Sequence, residues 1–348
     1  MNAEDIAEIN KFQVPKDTLG LHVLYEPKTT DNGFVADIVA VHGLGGDSFS
    51  TWTDNKSGKM WLKDFLPESQ YFHNSRIMTF GYDARAWLLP ASKNNSPGRS
   101  FTFSESFLGA LRSQRILTNT QGRPIVFIGH SLGGIVIKKA LVIAQVRTKL
   151  FGDIYESTKS ITFLGTPHQG SGPADWASYL EKISQIIGIK RSKVLRELET
   201  WSPSLLELSR TFSEQLPRLL INSFYEKQLY EGVMVVEEGS ATLSYITEVV
   251  DGLDANHRTM CKFADRESSV YRAVISQLET RMIEVQRAME RSVPEQKNTE
   301  ERQSSLELPD VPTSEPVPPQ TKEGAGVPYS TSELERRMKA LRKLRLQG

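Results

Sequence analysis

Between residues 19 and 290, short apolar runs alternate with longer stretches whose apolar positions recur every three or four residues. The short runs read as strands over Leu21–Tyr25, Ala36–Val41, Ile77–Phe80, Ile125–Ile128, Ile161–Leu164, Leu219–Phe224 and Val233–Val236. Several are continuous Val, Ile and Phe rather than alternating, as expected of strands covered on both faces. Strands alternating with helical patterns predict a mostly parallel central sheet flanked by helices, the α/β class. In 265–290, Val270, Val274 and Leu278 fall four apart with Tyr271, Ile275, Met282 and Ile283 nearby, a long closing helix with one face on the sheet.

Other stretches set boundaries. Helical patterns in "ADWASYLEKISQIIGI" and "KVLRELETWSPSLLELSRTF" suggest a cap inserted within 170–215. The stretch "ARAWLLPASKNNSPGRSFTF", 84–103, reads as a long loop, where Trp87, Leu88 and Leu89 line an acyl site or cover the sheet. From 291 to 330 the apolar pattern stops. Pro294, Pro309, Pro312, Pro316, Pro318, Pro319 and Pro328 stand among Ser, Thr, Glu and Gln, which predicts a disordered linker. A helix restarts in 331–348, with Ser332 and Glu335 as a capping box and Leu334, Met338 and Leu341 as an apolar stripe. Its basic residues from Arg336 to Arg345 suit either a solvated tail or contact with a membrane surface or protein partner.

Composition narrows the class. Of 348 residues, 42 are Lys or Arg and 42 Asp or Glu, so the net charge is zero and the basic excess of a nucleic-acid binder is absent. One cysteine, Cys261, excludes internal disulfides, fits a reducing compartment and reads as a small buried apolar residue. The opening "MNAEDIAEINKF" lacks the basic and apolar regions of a secretory leader, and no stretch has 18 uncharged apolar residues. The expectation is a soluble, cytoplasmic protein, with peripheral association at endoplasmic reticulum or mitochondria as the alternative. The histidines are too scattered for a metal site, no glycine pattern matches a P-loop or dinucleotide fingerprint, and no cofactor is implied.

The chemistry concentrates at "PIVFIGHSLGGIVIKKALVIA", residues 124–144. Gly129-His130-Ser131-Leu132-Gly133 fits G-x-S-x-G between a strand and a helix, which exposes a serine hydroxyl on a strained turn at a helix N-terminus. A hydroxyl needs a base, and in chain order an acid and then a histidine should follow. Only His168 and His257 follow Ser131; His168 comes too early for an acid-bearing strand, so His257 is the candidate base. Glu226, ending the penultimate strand, is the favoured acid, with Asp251 and Asp254 as rivals close to His257 in sequence. Amides of Leu44, in His42-Gly43-Leu44-Gly45-Gly46, and of Leu132 are the candidate oxyanion donors.

The ordered set "VHGLGGDSFSTW", "RIMTFGYDA", "FIGHSLGGIVIKKAL", "FLGTPHQGS", "SFYE" and "ANHRTMCKF" resembles the lipase-like α/β hydrolases of the serine-active-site-containing protein group. That group is related to the hydrolase domain of glycosylphosphatidylinositol inositol deacylases, and the likeness is greatest to fungal versions that precede NACHT-type receptors. The resemblance implies an α/β-hydrolase fold and a serine esterase or lipase acting on lipid-like esters, with phospholipid remodelling in some relatives. Acyl transfer to an alcohol other than water, or a non-catalytic signalling and interaction module, are the alternatives. No nucleotide-binding module or membrane span accompanies these segments in this sequence, unlike the receptors and the inositol deacylases respectively.

Overall fold

The computed structural model describes residues 15–27, 35–84, 99–168, 178–179, 181–183, 185 and 195–292. All belong to one compact unit, Met1–Val293. The predicted linker beyond 292, the terminal helix and the Trp87–Leu89 segment lie outside the described residues.

Described strands and α-helices follow in the order β1 (Gly20–Tyr25), β2 (Asp37–Val41), α1 (Trp61–Asp64), β3 (Arg76–Gly81), α2 (Arg99–Leu117), β4 (Ile125–His130) and α3 (Leu132–Val146). Then come α4 (Thr148–Ser157), β5 (Thr158–Leu164), α5 (Leu195–Ser213), β6 (Leu220–Glu226), α6 (Glu238–Ala241), β7 (Val249–Leu253) and α7 (Ser269–Ser292). The strands form one sheet in the order β1-β3-β2-β4-β5-β6-β7. Only β1 runs antiparallel to its neighbour; the other pairings are parallel. This mostly parallel order, with a sharp strand-to-helix turn after the central β4, is the α/β-hydrolase fold.

Period-two alternation sorts each strand between two cores. Val39, Val41, Phe127 and Phe163 face one side, packed with Phe107 of α2, Ile137 and Leu141 of α3, and Phe212 of α5. Ile38, Ala40, Val126 and Ile128 face the other, against Trp52, Trp61 and α7. Helix α7 buries Tyr271, Val274, Leu278, Met282 and Val285, spaced three or four apart; each such side chain contributes about 1.5–3 kcal/mol before ordering costs. Central β2, β3 and β4 are buried along their whole length, which explains their unbroken apolar runs.

Two local expectations change. Val233–Val236 is not a strand: the amides of Val235 and Val236 donate to the Glu226 carboxylate, so this run serves a side chain and not a ladder. The seventh strand is instead "VVDGL", an edge strand with Val250 exposed, whose Asp251 and Gly252 break the apolar signal. Residues 99–103, read as loop, begin α2. Among the described residues no helix is long and apolar enough to cross a membrane.

Candidate active site

The turn from β4 into α3 forces Ser131 to φ 54°, ψ −128°, a left-handed conformation that costs a non-glycine residue about 1–3 kcal/mol. Its neighbours show why the pattern needs glycine. A methyl on Gly133 would lie 2.1 Å from the Val41 carbonyl oxygen, and one on Gly129 2.8 Å from the Gly134 Cα. The turn is tied to β5 and the segment after it: the Ser131 amide donates to the Leu164 carbonyl (2.9 Å), and Thr166 Oγ1 donates to the Ser131 carbonyl (3.0 Å). These bonds hold the strained residue in place. Ser131 therefore stands at the carboxyl edge of the sheet, at the N-terminus of α3.

Glu226 ends β6 and is buried. Its Oε1 accepts from the Val235 and Val236 amides at 2.9 and 2.7 Å, which fixes the carboxylate, while Oε2 lies 3.2 Å from His257 Nδ1. An acceptor at Nδ1 favours the tautomer with its proton there and leaves Nε2 as the ring's acceptor. His257 Nε2 is buried and has no hydrogen-bond partner among the described residues. Of the rival acids, Asp254 Oδ1 accepts from Gln228 Nε2 (2.8 Å), and Asp251 sits inside β7 opposite Phe224. His168 lies apart from this pair, buried with its ring against Phe163 at 4.4 Å between centroids.

Ser131 and His257 line one pocket of about 290 Å³, with Leu44, Gly45, Gly46, Ser50, Thr51, His130, Ile183, Arg258, Cys261 and Lys262. The Gly43 backbone presses on the serine; a methyl there would lie 2.5 Å from Ser131 Cβ and 2.9 Å from Oγ. His42 shapes this loop. Its Nε2 accepts from the Tyr82 amide (3.1 Å), so Nδ1 carries the proton donated to the Gly43 carbonyl (2.8 Å). Burial pushes the His42 pKa down to about 4, which keeps the ring neutral. Leu44 lines the pocket, whereas Leu132 is fully buried in the first turn of α3, where amides have no intrahelical acceptor.

Several residues at the site were not singled out from the sequence. Tyr179 Oη lies 3.0 Å from Ser131 Oγ, and Ile183, four residues on, borders the same pocket. Both come from the expected cap region, but the face a cap turns inward depends on tertiary packing. His130 Nε2 lies 2.9 Å from the His257 carbonyl oxygen. Arg258 and Lys262 flank the site within "NHRTMCK", where their closeness to His257 was the available signal. Cys261 is buried, its thiol pushed up to about 12 by burial, which suits an inert packing residue. Among the described residues no group of three or more His, Cys, Asp or Glu has the arrangement to hold a metal ion.

No protein-family model matches this sequence. Protein SERAC1 of Bos taurus is 27% identical over 301 residues, covering 78% of this chain and 43% of that protein. Protein SERAC1 of Homo sapiens is 25% identical over 281 residues, covering 74% and 40%. The chain thus matches less than half the length of these relatives. Among solved structures, Bacillus licheniformis lipase BlEst2 in mature form aligns with TM-score 0.48 and 20% identity over 74% of this chain and 97% of that one. The type II thioesterase BorB from the borrelidin biosynthetic cluster aligns with TM-score 0.42 and 10% identity over 76% and 100%.

Proposed function

We propose that this chain is a serine hydrolase of carboxylic esters. The observation that carries the reading is the pairing of Glu226 with His257 Nδ1 while His257 Nε2 is left unpartnered in the pocket that Ser131 lines from its strained turn. In this reading Ser131 Oγ attacks the ester carbonyl and its proton passes to His257 Nε2. Glu226 holds the imidazole in the required tautomer and stabilises the imidazolium that forms. The oxyanion is received by the Leu44 and Leu132 amides at the end of a helix whose dipole favours negative charge. His257 returns the proton to the departing alcohol, and water, activated by the same imidazole, then releases the acyl group from Ser131.

A lipid-like acyl group is the proposed substrate, supported by the apolar Leu44 and Ile183 beside the serine and by the motif resemblance. The test is hydrolysis of p-nitrophenyl esters of rising chain length by the full chain beside Ser131→Ala. Turnover that Ser131→Ala reduces by 10³-fold or more, within the roughly 10⁶-fold loss of kcat that removing a triad serine causes, supports the reading. Equal turnover by the two proteins removes it.

A further inference from the structure

Resting on the serine-hydrolase reading, we propose that Tyr179 gates the nucleophile: its hydroxyl holds Ser131 Oγ in an unprimed state, and an acyl substrate must displace it before attack.

The geometry is specific. Ser131 Oγ and Tyr179 Oη are hydrogen-bonded at 3.0 Å, while His257 Nε2 has no partner, so no hydrogen bond joins the serine to its candidate base in this structure. A serine hydroxyl has a single proton. If it donates that proton to Tyr179, the proton points away from His257. If Tyr179 donates instead, it occupies one of the two Oγ lone pairs and leaves the serine proton free to turn to His257. Only the first direction leaves the serine unprimed, and a His257 Nε2 without a partner fits that direction. The Tyr179 hydroxyl thus occupies a hydrogen-bonding position on the serine Oγ that attacks the acyl carbon. Tyr179 and Ile183, four residues apart and so on one helical face, both turn toward the site and are buried. Burial also pushes the Tyr179 hydroxyl well above its ordinary pKa, so it stays protonated and able to bond across the working range.

Such a gate has a kinetic signature. A residue that must be displaced before substrate binds reduces apparent affinity by the fraction of molecules that are open. It does not slow chemistry once substrate is seated. Removing only the hydroxyl, by Tyr179→Phe, keeps the buried ring and should therefore lower KM and leave kcat unchanged. Loss of a donor to the reacting group would lower kcat, and loss of a merely structural hydroxyl would leave KM where it was.

The experiment compares the full-length wild type with Tyr179→Phe, and with Tyr179→Leu should the first variant not fold. It measures second-order labelling by a small fluorophosphonate, with KM and kcat on a short p-nitrophenyl ester, Ser131→Ala serving as the blank. The expected result is labelling roughly five- to tenfold faster in Tyr179→Phe, the factor that one neutral hydrogen bond supplies, with KM lowered to match. Labelling at the wild-type rate or slower overturns the gate while leaving the hydrolase reading intact. Folded wild type and variant that both remain unlabelled and without turnover overturn the hydrolase reading, and the gate with it.

Discussion

His130 Nε2 meets the backbone carbonyl oxygen of His257 at 2.9 Å, so the residue just before the candidate nucleophile holds the loop of the candidate base. The two rings are 5.1 Å apart between centroids. Burial first, and then the nearness of His257, push the His130 pKa down to about 3. His130 is thus neutral, and its Nε2–H donates to the carbonyl. This bond ties the elbow to a segment 127 residues later in the chain.

His130→Phe keeps a ring of similar size and removes the bond. Loss of one such bond is worth about 1 kcal/mol, so kcat should fall about fivefold with little change in KM. Steady-state kinetics on a short ester check this. An unchanged kcat would mean that the loop keeps His257 in place without His130.

Glu226 has two functions that substitution separates. Its Oε1 satisfies two buried amides and its Oε2 faces His257. Glu226→Gln keeps one acceptor oxygen but removes the charge; turnover should fall on the order of 10²–10⁴-fold with modest loss of stability. Glu226→Ala should lose turnover and also about 1–3 kcal/mol for each amide left unsatisfied. Urea unfolding beside kinetics reads both effects.

At the opposite edge of the sheet, the buried Asp37 carboxylate receives Arg76 Nη2 (2.9 Å) and Arg115 Nη1 (2.6 Å). Both guanidiniums belong to fully buried residues. Asp37→Ala leaves them without this anion and should destabilise the fold by about 3–5 kcal/mol. A lower urea midpoint at constant slope is the expected result, with the active-site bonds untouched.

Stability should also fall in mild acid. Unfolded histidines protonate near 6.5, whereas His42 resists until about 4 and His130 until about 3. Below 6.5 the unfolded chain therefore binds more protons than the folded one. The contribution is complete above that pH and is lost as pH falls toward the folded values, at up to about 1.4 kcal/mol per pH unit for each ring. Urea midpoints measured from pH 7 to pH 4.5 should drop, and His42→Gln should reduce the slope.

What the sequence shows and hides follows from how local each signal is. The elbow is legible because Gly129 and Gly133 meet steric demands set within a few residues, and the parallel sheet because β2 and β4 are covered on both faces. The edge strand β7 is not legible, because Asp251 and Gly252 interrupt its apolar pattern, while Val233–Val236 has a strand's composition and another task. Long-range pairings leave no pattern at all. Asp37 finds Arg76 and Arg115 at separations of 39 and 78 residues, and Tyr179 meets Ser131 across 48.

The most direct measurement is intact-mass and peptide analysis of the full chain after reaction with a fluorophosphonate. The account predicts one phosphonyl adduct, mapped to Ser131, absent in Ser131→Ala and strongly slowed in His257→Asn. An adduct on another residue, or one that persists in Ser131→Ala, would contradict it.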